Sequence, residues 1–266
     1  MIKVAVSGAC GRMGSCIIAN LVVSKDMKLS AALEYKKHPY IGMDAGKALH
    51  IADTGVNISG DAPKAIKASD VLIDFSMPQS ALQNLKIAAK NKIPAVIGTT
   101  GFSEKQLSEI KKIARRIPCV LSANMSVGVN LLLSVIRKVA PALKDYDIEI
   151  VEAHHRMKKD APSGTALKFA QVIADSCGID FKKKVIYGRK GLVGERKKGE
   201  IAIHSIRGGD IVGDHKIIFA GDAERIELIH RASNRDTLAI GAIKAARFVC
   251  KAKPGLYNME SVLGIK

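Results

Sequence analysis

Two adjacent imidazoles, with a lysine shortly after them, are the side chains of this sequence best suited to move a proton near neutral pH. They are His154, His155 and Lys158, in the run Glu152-Ala153-His154-His155-Arg156-Met157-Lys158-Lys159-Asp160-Ala161-Pro162-Ser163-Gly164-Thr165. An unperturbed imidazole titrates at about 6.5, so it can donate and accept protons at working pH. The run closes on Pro162-Ser163-Gly164-Thr165, and a helix-like stretch follows from Ala166 to Ala174. Ser163 and Asp160 are the candidate N-caps. Gly164 and Thr165 would then offer backbone N–H groups, and Thr165 a hydroxyl, to a carboxylate. The combination reads as a place where an anionic substrate is bound and protonated. Adjacent side chains of an extended segment point to opposite sides, so only one histidine need be catalytic. A surface loop that happens to carry histidines is the competing reading. The segment lacks the H-E-x-x-H spacing of a zinc site and has no nearby cysteine, so no metal is expected in it. No G-x-S-x-G elbow surrounds Ser163, which removes the case for a serine nucleophile.

A second group of residues has the spacing of an anion cradle. Gly8-Ala9-Cys10-Gly11-Arg12-Met13-Gly14 joins an apolar β-type run to a helical one as G-x-x-G-x-x-G. Glycines there let the backbone turn tightly and approach a pyrophosphate, whose charge the helix start then receives. A plain strand-to-helix turn would show the same pattern. Context favours a dinucleotide, because Glu34 ends the next strand and can accept hydrogen bonds from ribose hydroxyls. Glu34 suits the free 2′-hydroxyl of NADH, while Lys36 and Lys37 could neutralise the 2′-phosphate of NADPH, so both cofactors stay open. Gly98-Thr99-Thr100-Gly101 and Ser122-Ala123-Asn124-Met125-Ser126 also follow predicted strands. They belong at the carboxyl edge of the same sheet, where ligands of open α/β sheets bind.

The elements that must position these groups fall into two patterns. Up to residue 122 short apolar strands alternate with helices: strands at Ile2–Val6, Leu29–Leu33, Val71–Phe75, Ala95–Ile97 and Val120–Leu121, helices at Arg12–Val23, Ala62–Ala68, Gln79–Lys90 and Glu104–Arg115. Strands apolar on both faces, alternating with helices, predict a doubly wound parallel α/β sheet. A long apolar helix, Val127–Val139, leads into a strand-rich half. Its strands are expected at Ile148–Glu152, Lys184–Tyr187, Ile201–Ile206, His215–Ala220 and Arg225–His230, with one helix, Thr165–Ser176. This is an α+β domain on a mixed sheet. His204 and His230 lie in its strands as surface or satisfied core histidines. The loop Gly188–Gly199, rich in Gly, Lys and Arg, reads as mobile or as a subunit contact. A last helix, Thr237–Val249, is expected to pack back on the first domain.

Composition bounds the rest. Hydrophobic residues make up 47% and aromatics 4%, with no Trp, so the core must be mainly aliphatic. The net charge of +17 favours anionic partners without choosing among them. Nucleic acid is not expected, because no binding motif and few stacking aromatics accompany the charge. Five cysteines without a C-x-x-C pair fit a reducing compartment. No signal-type start and no apolar run of about 18 residues is present, so a soluble cytoplasmic protein with no membrane partner is expected.

Taken together, these residues resemble the 4-hydroxy-tetrahydrodipicolinate reductase (dihydrodipicolinate reductase) family. Glu152-Ala153-His154-His155, Lys158 and Asp160-Ala161-Pro162-Ser163-Gly164-Thr165-Ala166 look like its signature. Gly8–Gly14, Asp74-Phe75-Ser76, Ile97-Gly98-Thr99-Thr100-Gly101-Phe102, Asn124 with Ser126-Val127-Gly128-Val129-Asn130, and Arg207-Gly208-Gly209-Asp210-Ile211-Val212-Gly213 with His215 resemble further landmarks in family order.

The resemblance implies a Rossmann domain at 1–125 plus 236–266, and a substrate-binding and oligomerisation domain at 126–235 of a cytoplasmic homotetramer. It implies NADH- or NADPH-dependent reduction of a small dicarboxylate, (2S,4S)-4-hydroxy-2,3,4,5-tetrahydrodipicolinate, with loss of water, in the diaminopimelate route to lysine. His154 and Lys158 would be catalytic, and His155, Gly164 and Thr165 would hold substrate carboxylates. Gly8, Ala9, Cys10, Gly11, Arg12, Met13, Glu34, Gly98, Thr99, Thr100, Ser122, Ala123, Asn124 and Met125 would bind the dinucleotide. Two departures stand out: Tyr35 where many members have Arg after the ribose acid, and Met125 where many have Phe.

Overall fold

The computed structural model describes residues 1–234 and 236–265. Along the chain run β1 (Ile2–Ser7), α1 (Arg12–Val22), β2 (Met27–Leu33), α2 (Ala45–Ala48), β3 (Ile58–Ser59), α3 (Ala62–Lys67) and β4 (Val71–Asp74). Then come α4 (Pro78–Lys90), β5 (Ala95–Ile97), α5 (Glu104–Ile113), β6 (Pro118–Leu121), α6 (Val127–Val139) and a 3-10 turn, Ala140–Leu143. The second half holds β7 (Asp147–His154), α7 (Gly164–Cys177), α8 (Phe181–Lys184), β8 (Val185–Tyr187), β9 (Ile201–Arg207), β10 (Gly213–Ala220) and β11 (Arg225–Ala232). The chain ends with α9 (Asp236–Val249), β12 (Gly255–Tyr257) and α10 (Met259–Leu263). Two compact units result, Met1–Val127 with the described residues beyond 234, and Gly128–Asn234. Lys266, at the end of the expected first domain, lies outside the described residues.

The first unit is a seven-stranded parallel sheet in the order β12-β6-β5-β4-β1-β2-β3. Alternation along β1 sends Val4 and Val6 to one face and Ala5 to the other. Val4 and Val6 join Ile17, Ile18 and Leu21 of α1 and Ala242, Ile243 and Ala246 of α9. Ala5 joins Leu85 and Ala88 of α4 and Ile110 of α5. Helices on both faces explain why these strands carry so few polar residues. The chain crosses from one side of β1 to the other between β3 and β4, which makes the β1/β4 edge the switch point where ligands bind.

The second unit is a five-stranded mixed sheet in the order β11-β10-β7-β9-β8. β7 pairs antiparallel with β10 and parallel with β9. α6 and α7 cover one face through Val129, Leu133, Ile136, Phe169 and Ile173, packed on Ile148, Ile150, Ile203, Ile217 and Phe219. β7 runs two residues past the predicted end at Glu152, because both neighbours still pair there: Ala153 with Asp214 and His154 with Arg207. Strand parity then puts Ile148, Ile150, Glu152 and His154 in one row facing the helices.

The loop 188–199 is tied down by ion pairs. Arg189 and Arg196 donate to Glu149 at 2.9–3.0 Å, and Arg196 also reaches Asp147 at 2.6 Å. His204 contacts the same Glu149 at 2.7 Å. Several short elements escaped prediction. α2 rests on Asp44, whose carboxylate accepts from the N–H groups of Gly46 and Lys47. β3 and β12 have two and three residues, too few for any periodicity to register.

Candidate active site

In the first unit the glycine turn is shaped by close backbone approach. Gly8 adopts φ +75°, and a Cβ there would lie 2.5 Å from the Phe75 carbonyl oxygen. A Cβ on Gly14 would lie 2.1 Å from the Gly8 carbonyl oxygen. Gly8 and Ala9 both donate to the Leu33 carbonyl at 3.0 Å, which anchors the turn to the end of β2. The N-cap of α1, Gly11, supplies no side-chain cap. The N–H groups of the first turn are therefore left for an anion.

Two clefts open along this edge and share Gly11, Phe75 and Ser76. One, of about 530 Å³, is lined by Gly8, Gly11, Glu34, Tyr35 and Lys36, among others. The other, of about 340 Å³, is lined by Gly11, Arg12, Met13, Gly98, Thr99, Thr100, Ala123 and Met125. Their size is that of small-molecule sites. Ala9, Cys10, Ser122 and Asn124 are not among the lining residues. Ala9 is buried, and Ser122 donates to the Asn124 carbonyl at 2.8 Å, closing the turn after β6. Lys37 also lies outside the lining, whereas Lys36 belongs to it. Asp74, fully buried at the end of β4, fixes the loops around both clefts. It accepts from Ser76 Oγ at 2.6 Å, Asn84 Nδ2 at 2.8 Å and Thr99 Oγ1 at 3.1 Å.

In the second unit the central feature is a buried carboxylate. Glu152 has no exposed surface. Its Oε2 lies 2.6 Å from His154 Nδ1. Arg207 donates from both terminal nitrogens to the two oxygens at 2.8 and 2.9 Å, and Ser163 N–H donates to Oε1 at 3.1 Å. Burial alone would raise this carboxyl, but hydrogen bonds from Arg207, Ser205 and His154 outweigh it and hold it down to about 2. An ionised Glu152 requires the proton of His154 on Nδ1 and turns Nε2 away from it. Nε2 lies over Gly213, where a Cβ would stand only 3.1 Å away. Arg207 also donates to the Asp160 carbonyl at 2.7 Å, so one guanidinium fixes both the carboxylate and the loop before α7.

That loop ends at Ser163, the N-cap of α7, whose Oγ accepts from Ala166 N–H. Ser163 Oγ also contacts His215 Nε2 at 3.1 Å. Burial, then the neighbouring His154 and His230, push His215 down to about 4, so its neutral ring shares one hydrogen bond with the Ser163 hydroxyl. Gly164 is exposed, with open space where its Cβ would be, and it begins the helix with Thr165. His155 follows the strand, half-buried. Lys158 Nζ reaches both carboxylate oxygens of Asp160 at 2.9 Å. That contact holds Asp160 below the usual carboxylate range. Asp160 thus pairs with Lys158, and Ser163 is the cap.

Sequence reasoning missed Glu152 and Arg207 as functional residues. A signal existed for the first: an acid in the same row as Ile148 and Ile150 has to find a partner. For Arg207 the family resemblance marked the segment without a role, and only sheet register brings it to Glu152.

Two family models match end to end, "Dihydrodipicolinate reductase, N-terminus" over residues 2–125 and "Dihydrodipicolinate reductase, C-terminus" over residues 128–263. The chain belongs to the dihydrodipicolinate reductase family. It is 48% identical to the 4-hydroxy-tetrahydrodipicolinate reductase of Syntrophus aciditrophicus, with 100% of both chains covered. It is 49% identical to that of Methanocaldococcus jannaschii, covering 100% of this chain and 98% of the relative. Among solved structures, the dipicolinate-bound dihydrodipicolinate reductase from Paenisporosarcina sp. TG-14 superimposes with a TM-score of 0.79 at 26% identity, over 97% of each chain. Dihydrodipicolinate reductases are oxidoreductases, and their fold is the one described above: a Rossmann-like parallel sheet and a second, mixed sheet.

Proposed function

We propose that this chain reduces 4-hydroxy-tetrahydrodipicolinate to tetrahydrodipicolinate, with loss of water, in the diaminopimelate route to lysine. The observation that carries this reading is the buried Glu152 gripping His154 beside the start of α7, in a chain whose first unit holds a glycine-turn crevice. The crevice fits a dinucleotide, because Gly8 and Gly14 leave no room for a Cβ and the α1 N-terminus has no side-chain cap. A reduced nicotinamide, when bound, supplies the hydride. The first unit is the dinucleotide-binding domain and the second the substrate-binding domain.

The residues of the second unit then divide the remaining work. Hydride addition with loss of water leaves a nitrogen-bearing conjugated system that must gain one proton. His154 enters this step as an imidazolium, with its Nδ1–H on Glu152, donates the proton from Nε2 and regains one from solvent, while Glu152 and Arg207 hold the ring. Lys158, the second catalytic residue, leaves Asp160 when substrate binds and polarises the substrate by pairing with one carboxylate. His155, with the N–H groups of Gly164 and Thr165 and the Thr165 hydroxyl, receives the other. No metal takes part in this scheme. The dipicolinate bound to the solved relative supports a dicarboxylate ligand. NADH and NADPH both serve as cofactors: Glu34 accepts from the ribose hydroxyls, and Lys36, in the same cleft, faces the 2′-phosphate.

The working form is a cytoplasmic homotetramer. Among the described residues no helix is long and apolar enough to cross a membrane, and no disulfide joins the cysteines. Sedimentation at working concentration checks the tetramer. The activity is tested by generating substrate in situ from pyruvate and aspartate semialdehyde with the upstream synthase, then following NADH and NADPH oxidation in parallel. Synthase-dependent oxidation is expected. None with either nucleotide would remove the reading.

A further inference from the structure

Three donors of different chemistry converge beside the larger cleft of the first unit. Cys10 lies in the glycine turn, Glu34 follows β2 directly, and His38 comes four residues later. A thiol sulfur, a carboxylate oxygen and an imidazole nitrogen from these residues all lie within 4.8 Å of one another, and all three residues are half-buried. The carboxylate is fixed in advance. Glu34 Oε2 accepts from Cys10 N–H at 3.2 Å, and Oε1 accepts from Tyr35 N–H at 3.1 Å. The imidazole is steadied edge-on between Tyr35 and Tyr40, with ring centroids 5.2 and 5.1 Å away. Its Nδ1 accepts from Tyr40 N–H at 3.2 Å, a long bond whose loss costs little in a part-exposed site.

This donor set has a preference. Bonds of about 2.0–2.3 Å from zinc to N, O and S place tetrahedral ligands roughly 3.3–3.8 Å apart. The observed cluster needs roughly 1 Å of side-chain adjustment to reach that spacing. A mixed S, N and O set suits zinc and similar borderline cations, whereas magnesium and calcium call for oxygen ligands. Three protein ligands leave a fourth position for water. Among the described residues this is the one cluster of three such donors.

We propose that Cys10, Glu34 and His38 bind a zinc-type divalent cation, and that the bound ion and the dinucleotide exclude one another. Exclusion rests on the reading of Glu34 as the ribose acceptor: a carboxylate bound to a cation cannot also take the ribose hydroxyls. The thiol gives up its proton to solvent as the metal binds. Free zinc therefore inhibits this enzyme competitively against NADH, and a chelator restores activity.

Cobalt(II) titrated into the whole protein reports the site directly. One equivalent per chain should give visible bands of a tetrahedral ion and a near-ultraviolet thiolate band. Cys10→Ser should lose the thiolate band. NAD⁺ should bleach the visible bands. In kinetics, zinc should raise the apparent KM for NADH without changing kcat. His38→Gln should keep kcat and KM in the absence of zinc, and weaken zinc inhibition by about tenfold or more, the loss of about 1.4 kcal/mol of binding. Absent cobalt bands, or a His38→Gln variant as zinc-sensitive as the parent, would overturn the cation site. Bands that survive saturating NAD⁺ would overturn the exclusion, and with it the assignment of Glu34 to the ribose, while the cation site would stand.

Discussion

Replacing Glu152 by Gln keeps the side chain's shape and removes its charge, so it isolates what the carboxylate does. Glu152 has no exposed surface, and its carboxyl is held down from 4.5 to about 2. At about 1.4 kcal/mol per pH unit, that gap corresponds to about 3 kcal/mol of native-state preference for the ionised form. The group's native value is depressed, so this stability is fully present above about 4.5 and is lost as pH falls toward about 2. At neutral pH the Gln variant should therefore be less stable by about 3 kcal/mol, a drop of roughly 5–10 °C in thermal midpoint. Arg207 limits the loss, because it keeps its bonds to the carbonyls of Ile206 and Asp160 at 2.6 and 2.7 Å.

The effect on turnover is separate. Glu152 steadies the proton on His154 Nδ1 through a 2.6 Å charge-assisted contact. A neutral amide would give up about 1.5–3 kcal/mol of that interaction at the step where the imidazole is charged. The result is a fall of roughly 10- to 150-fold in kcat. The KM for NADH should not move, since the dinucleotide is assigned to the other unit. The assay is steady-state nucleotide oxidation well below the variant's melting midpoint, with circular dichroism confirming the fold. A folded variant with kcat within about threefold of the parent would refute the positioning argument, whatever its stability.

Three further outcomes follow from the same geometry. His215 is held down from 6.5 to about 4, first by burial and then by its histidine neighbours; between those values the unfolded chain takes up a proton that the native state refuses. Stability should fall by about 3 kcal/mol as pH drops from about 6.5 to about 4, and His215→Phe should flatten the urea midpoint over that window; an unchanged slope would exclude His215 as its source. Gly14→Ala would place a Cβ 2.1 Å from the Gly8 carbonyl oxygen, so the turn must open and NADH affinity, measured by fluorescence titration, should weaken by about tenfold or more; wild-type affinity would contradict the cradle. Lys36→Ala should raise the KM for NADPH by about tenfold, about 1.4 kcal/mol, and leave NADH within about twofold, whereas equal losses for both would detach Lys36 from the 2′-phosphate.

What the sequence made legible was local. The strands of the first unit are short runs buried on both faces, and the glycine turn and Glu34 lie on neighbouring strands, so pattern and spacing were enough to place them. The second unit needed information that periodicity does not carry. The true end of β7 depends on its two neighbours, and β12 exists only because Gly255-Leu256-Tyr257 pairs with Pro118-Cys119-Val120. Cys10, Glu34 and His38 meet only after the strand-to-helix turn folds back on β2, so their donor types gave no signal along the chain. Glu152 lies between these extremes. Its parity with Ile148 and Ile150 says that a carboxylate enters the core, and a buried carboxylate without a cation costs several kcal/mol. The sequence thus demands a partner, but it offers 42 lysines and arginines. Only the parallel register of β7 and β9, with His154 opposite Arg207, selects one. The choice sets more than stability, because the same guanidinium holds the Asp160 carbonyl. The strand row that carries His154 and the loop that carries Lys158 are thereby fixed to one group, which no reading of either segment alone could have supplied.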